Sequence, residues 1–271
     1  MATSLNFIDI AGPHPAPPHV IGTRFDHIDG HSTHGIPSRI LTEAGTDPNH
    51  FIELMKDHLR KHHARPEDLQ RDRLRREALV RQGFSALLSR FPANPNTQKG
   101  NWAEILLAEY IYESCGADLP VYRLRYNPNI EQSMKGDDVL AFDLDSDPVR
   151  VIVGEAKFRE KPTKRAVLDI VAALEKSQRS GIPISLQFIA DRLFSEGNEE
   201  LGKRIEACSD LFIKGKIRLD RIGLLASNLE THIHVNRHAE SLQHRIAIIS
   251  VCLADGVSLI ESCFDSLEEK S

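Results

Sequence analysis

The chain has 271 residues, of which 41% are hydrophobic and 27% charged, enough to bury a core in one large domain or two modest ones. Its 34 Lys and Arg against 39 Asp and Glu leave a net charge of −5, which excludes a histone-like coat whose binding rests on overall positive charge. Four cysteines without a Cys-x-x-Cys pair argue against a zinc ribbon or a disulfide framework, and the lack of a leader or of an apolar run near ~18 residues predicts a cytoplasmic protein with no membrane span.

Residues 10–50 are broken by Pro13, Pro15, Pro17, Pro18 and Pro37 and by several glycines into short pieces such as HVIGTRF and SRILTEA. Histidines crowd this end of the chain; without cysteines beside them they read as solvated loop side chains, and none is given a role. Asp47-Pro48 opens a helix through about His63. Pro66-Glu67 opens another toward Arg90, with Leu69, Leu79, Phe84, Leu87 and Leu88 as candidate buried positions. Segment 56–82 is locally basic, either as a solvated helical face or as a contact to phosphates or an acidic partner.

After the break FPANPNTQKG, NWAEILLAEYIYES reads as a helix and VYRLRY as a short strand. VLAFDLD and VRVIVGEAKF form a hairpin across Ser146-Asp147-Pro148. An amphipathic helix over 164–179, a strand at ISLQFIA, a helix over 196–210, strands at RIGLLAS and RIAIISVCL, and a closing helix at VSLIESCFDSLEEK complete the chain. This order predicts an α/β fold, a mixed central sheet flanked by helices. Residues 1–95 are expected to be an N-terminal turn-rich and helical elaboration, and residues 96–271 the main domain.

Candidate chemistry gathers on three elements. Alternation along VRVIVGEAKF puts Val153, Glu155 and Lys157 on one face of a strand too apolar for an edge, where unpaired charge is expensive. The hairpin brings Asp138, which shares a face with Leu140 and Phe142, beside Glu155 and Lys157, while Asp137 points the other way. On the helix, Glu104 falls in the middle of the stripe made by Leu107, Ala108 and Ile111, whereas Glu109 and Glu113 fall on the opposite, solvated side. Three carboxylates and one amine then converge. Hard oxygen donors suit Mg²⁺ or Mn²⁺, so Glu104, Asp138 and Glu155 are candidate metal ligands, and all four with Lys157 candidate catalytic residues for phosphodiester hydrolysis. Were Glu155 and Lys157 only a structural ion pair, Glu104 and Asp138 would lie far from them.

The order helix-Glu104, Gly136-x-Asp138, Glu155-x-Lys157, amphipathic helix resembles the PD-(D/E)XK nuclease superfamily over roughly residues 100–190, with Gly136 standing two residues before the aspartate and no proline directly before it. More narrowly, GNWAEILLAEYI, KGDDVLAFDL and VGEAKFR are similar to the HamA family, nuclease subunits of Hachiman-type bacterial antiviral systems. The resemblance implies a restriction-endonuclease-like fold over 96–271, a Mg²⁺-dependent deoxyribonuclease, and control by a superfamily-2 helicase subunit (HamB-like) that residues 1–95 contact. Asp138 and Glu155 would ligate the metal, Glu104 would ligate it or position the water, and Lys157 would assist the nucleophile. Arg159, Lys161, Lys164 and Arg165 crowd the loop and helix start that follow and are candidate DNA-binding residues, with Gln178 a weaker addition. The alternative is a non-catalytic nucleic-acid-binding or regulatory subunit on the same fold.

Overall fold

The computed structural model describes residues 5–82, 89–179 and 182–267. Ten α-helices are found there: α1 (Ile8–Ala11), α2 (Val20–Arg24), α3 (Asn49–His63), α4 (Pro66–Arg81), α5 (Pro95–Cys115), α6 (Lys164–Lys176), α7 (Leu186–Ser195), α8 (Glu199–Ile213), α9 (Thr231–His238) and α10 (Gly256–Phe264). The strands are β1 (Phe25–His31), β2 (Pro37–Glu43), β3 (Val139–Asp143), β4 (Val149–Phe158), the short pair β5 (Gln178–Arg179) and β6 (Ile182–Pro183), β7 (Ile217–Ser227) and β8 (Ile246–Cys252). The positions proposed for Phe84, Leu87 and Leu88, and the side chain of Gln178, lie outside the described residues.

Six strands form one mixed sheet in the order β1-β2-β8-β7-β4-β3. The four central strands run parallel, and β1 and β3 close the two edges antiparallel. Being covered on both faces, the inner strands read as continuous apolar runs. Alternate residues of β4 serve the two layers: Ile152 and Ala156 join the core under α5, α3 and α10, while Val151 and Val153 join the core under α6, α7 and α8. The expected α/β architecture is therefore present, but the sheet runs across the 95/96 line. Residues 25–43 supply two of its strands, with Ser38 opposite Ile248 and Leu41 opposite Val251.

Two expected strands are not strands. VYRLRY contains a 3₁₀ turn at Arg123–Tyr126, and ISLQFIA enters α7 after Ser185. Short apolar runs with β-branched residues do not distinguish strand from buried helix by pattern alone; in α7, Leu186, Ile189, Ala190 and Leu193 form one buried helical stripe.

Helix α5 starts at Pro95, where the Asn94 side chain accepts from Asn96 N, and ends at Gly116 in the left-handed region. It is buried on nearly all sides, Trp102, Leu107 and Tyr110 completely. It lies so close to β4 that a Cβ on Gly154 would stand 3.0 Å from Leu107 Cδ2 and 2.8 Å from Val139 Cβ. That explains a glycine in the middle of β4.

All-round burial overturns the expectation for Glu109, which is 2% exposed rather than solvated. Its carboxylate takes His62 Nε2 at 2.7 Å, His58 Nδ1 at 3.2 Å and Lys61 Nζ at 3.5 Å. His58 and His62 stand four residues apart on α3, one helical turn, so two of the early histidines are a clamp between α3 and α5 rather than loop side chains. These partners hold Glu109 far below the usual carboxylate range despite its burial, and burial lowers His63 to about 4. Sign follows from linkage. A depressed carboxylate contributes stability above its unfolded value of 4.5 that is lost as pH falls through the folded value; neutral His63 adds a loss between 6.5 and about 4. Glu109→Gln is expected to cost about 2 kcal/mol at neutral pH and to flatten the decline of melting temperature below pH 4.5, as read by thermal melts across pH.

In the basic segment 56–82, Arg60, Arg71 and Arg73 pair within the segment, with Asp57, Asp68 and Glu77, while Lys56, Lys61 and Arg65 reach Glu53, Glu109 and Glu196 outside it. The pairs along α4 are exposed and contribute little energy.

Candidate active site

Strand β4 projects Glu155 and Lys157 together, with Lys157 Nζ 2.6 Å from Glu155 Oε1. Asp138 stands one residue beyond the Val139–Gly154 pair of the β3–β4 ladder, which sets it across from Glu155. Its Oδ2 accepts from Ala156 N at 2.9 Å. Glu104 arrives from α5, on the other face of the sheet, with a residue exposure of 9%. All four side chains line one cleft of about 630 Å³.

Electrostatics records their convergence. Burial raises Glu104 to about 8; Arg123 opposes that rise, and the negative charges of Asp138 and Glu155 add to it. Glu155 is raised to about 7 by burial and by Asp138, with Lys157 opposing. Asp138 is also raised, by burial first, against its bond from Ala156 and the charges of Arg123 and Lys157. Three carboxylates thus repel one another in a poorly solvated corner. The alternative of an isolated Glu155–Lys157 ion pair, with Glu104 and Asp138 remote, does not describe this chain.

Arg123 is the member that the sequence reading missed. Its Nε lies 3.5 Å from Glu104 Oε1 and its Nη1 3.8 Å from Asp138 Oδ1. The same guanidinium donates to Met134 O at 2.7 Å and to Asp137 O. It pins the segment leading into β3 and orients two of the acids. Asp137 points away, as alternation requires: its Oδ2 accepts from Ser185 N at 3.1 Å, and its own N donates to Ser185 Oγ at 2.9 Å. Gly136 makes that turn at φ +117°, where a Cβ would come within 2.8 Å of Ser185 Oγ.

Among the described residues, no three acidic, histidine or cysteine side chains are drawn close enough to cage a metal by themselves. The donor chemistry still suits a hard dication. Mg²⁺ keeps several waters and asks for one or two carboxylates, and Asp138 and Glu155 stand side by side, close enough for the charge of Asp138 to raise Glu155.

Of the four candidate DNA contacts, only Arg159 lines the cleft, where Lys99 and Lys135 join it. Lys161 lines a neighbouring groove, Lys164 is exposed at the first position of α6, and Arg165 pairs with Asp169 at 2.8 Å. Lys99 and Lys135 were hidden in stretches where nothing local distinguishes a cleft cation from a surface one. All four cysteines are free thiols, as expected, and no helix among the described residues is long and apolar enough to cross a membrane.

A sequence model of the HamA family matches residues 23–267, taking in β1 and β2 with the rest of the sheet. The chain is also 35% identical over 263 residues to the Hachiman protein HamA of Bacillus cereus, a likeness covering 96% of this chain and 94% of that protein. On this extent of similarity, spanning every strand of the sheet and all the site residues, the chain belongs to the HamA family.

Proposed function

We propose that this chain, whose family supports a role in antiviral defence, is a metal-dependent DNA nuclease of the PD-(D/E)XK type, the effector of a Hachiman system controlled by a superfamily-2 helicase partner (HamB-like). One observation carries the reading: Glu104, Asp138 and Glu155, from three different elements, meet Lys157 at a single cleft and are all pushed toward protonation there. A site that gathers negative charge at such expense is suited to a dication.

Asp138 and Glu155 would hold Mg²⁺ or Mn²⁺, with Glu104 as a third ligand or as the group that orients the attacking water. When bound, the ion supplies an activated water and offsets charge on the scissile phosphate. Lys157, tied to Glu155, is placed to donate to the developing oxyanion. Arg159 and Lys135 would give the cleft a cationic rim for flanking phosphates, while Lys99 is paired with Glu160 Oε1 at 2.5 Å. Trp102 is fully buried, so it offers no platform for base stacking, and sequence-tolerant, backbone-directed cleavage is expected.

Incubating supercoiled plasmid with the chain and Mg²⁺, with and without its helicase, tests the reading. Divalent-dependent nicking or degradation, abolished by chelation and altered by the helicase, is the expected result. Absence of cleavage under both conditions would return the chain to the non-catalytic alternative.

A further inference from the structure

Lys161 belongs to a second concavity. Strands β2, β8 and β7 run parallel to β4, so their C-terminal ends emerge along the edge that carries the catalytic cleft, the edge where open parallel sheets take ligands. A groove of about 950 Å³ lies there, lined by Thr42 at the end of β2, Cys252 at the end of β8, Lys161, and His232 and His234 of α9. It lies next to the catalytic cleft, with residues 159–162 between the two. Arg159 N donates to Ala226 O at 2.9 Å and Ser227 Oγ donates to Glu160 O at 3.1 Å, so this segment crosses the end of β7 with Arg159 in the cleft and Lys161 in the groove.

Lys161, His232 and His234 give the groove side chains able to donate. Nδ1 of His232 and Nδ1 of His234 are both closed off from solvent and have no hydrogen-bond partner. A proton on either would be an unsatisfied buried donor, which favours the tautomer with the proton on Nε2. Both rings line the groove, from positions two residues apart in the first turn of α9. Lys161 adds a full charge. Of the two acids present, Glu43 is already engaged by Arg24 and by Ala254 N at 2.6 Å, which leaves Glu230 as the opposing charge. Leu229, 53% exposed, and Ile233, 38% exposed, give apolar surface for sugar and base edges.

We propose that this groove holds the nucleic-acid strand continuing from the scissile phosphate, with Lys161, His232 and His234 on successive phosphates. The inference rests on the nuclease reading of the cleft and extends its footprint by several nucleotides.

Length-dependent binding tests it. Fluorescence anisotropy of the full chain in Ca²⁺ is measured with labelled single-stranded DNA of about four and about 20 nucleotides, spanning the footprints of single-strand grooves. The double variant His232→Ala/His234→Ala is expected to weaken the longer oligomer about tenfold and the shorter less than twofold, while Lys161→Gln lowers the salt slope for the longer one by about one. Should the alanine variant melt early, His232→Gln/His234→Gln, which restores an N–H donor on each side chain, is expected to recover the longer oligomer's affinity. Unchanged binding, or equal losses at both lengths, overturns the groove. So does unchanged DNA affinity with lost association of the helicase, which assigns the surface to protein. Groove-dependent binding by a chain that never cleaves would leave the inference standing and remove the nuclease reading; cleavage with groove-independent binding would do the reverse.

Discussion

Glu155→Ala is expected to reduce Mg²⁺-dependent DNA cleavage by about 10³-fold or more, and Lys157→Ala by about 10²- to 10³-fold, since each removes a charge placed against the reacting phosphate in a poorly solvated cleft. Initial rates of plasmid nicking give the comparison. Melting temperatures separate chemistry from folding: Glu155 is crowded by Asp138 and raised to about 7, so its removal relieves repulsion and is not expected to destabilise the cation-free chain. Lys157→Ala does the opposite, leaving Glu155 without its 2.6 Å partner, and is expected to melt slightly earlier. Activity within tenfold of the unmodified chain in both variants would refute the catalytic assignment.

The largest loss of stability is expected far from the cleft, at Asp220. This residue is completely buried on β7, its carboxylate 2.7 Å from Arg150 Nε and 3.1 Å from Arg218 Nε, with Arg245 on its other oxygen. The three guanidinium groups spend their remaining donors on backbone. Arg150 reaches Ile10 O at 2.6 Å and Cys115 O at 2.9 Å, and Arg218 and Arg245 reach Asp9 O at 2.5 and 2.8 Å. One carboxylate thus fastens α1 and the end of α5 to the sheet. Asp220→Ala would leave three cations crowded together without an anion, a change costing about 3–5 kcal/mol. That corresponds to roughly 8–15 °C in melting temperature for a chain of this size. Asp220→Asn, which keeps the shape but not the charge, is expected to fall between, and a shift under about 2 °C in the alanine variant would show that the cluster is not holding the N-terminal helix.

What could be read from the sequence follows from how local each signal is. Strand β4 was legible to the residue, because a ten-residue apolar-rich run fixes the element and the period of two along it fixes the shared facing of Glu155 and Lys157. Asp138 followed from the hairpin, whose register depends on a short turn. Glu104 was legible for a less secure reason: a helical wheel assumes one buried stripe, and α5 is buried nearly everywhere. The same assumption sent Glu109 to solvent, since its partners His58 and His62 belong to α3, about fifty residues earlier, and no local pattern pairs them. Arg123 was hidden twice, by a 3₁₀ turn mistaken for a strand and by contacts to Glu104 and Asp138 that exist only after the sheet has closed. For α7, the failure lay in composition, because Ile, Phe and Leu in a seven-residue run suit either element until a covering layer is known.

The place of β2 in the sheet has a consequence during synthesis. Its inner neighbour is β8, about 200 residues later in the chain, which at ~5–20 residues per second leaves β2 with one side unpaired for roughly 10–40 s on the ribosome. Strand β7, the parallel neighbour of β4, is likewise made only after Glu155 and Lys157 of β4 have emerged. A ribosome-bound fragment ending before β7 therefore carries Glu104, Asp138, Glu155 and Lys157 on a sheet that lacks its middle. Translation itself then acts as a delay line, withholding the completed sheet behind these four side chains until nearly the whole polypeptide is out.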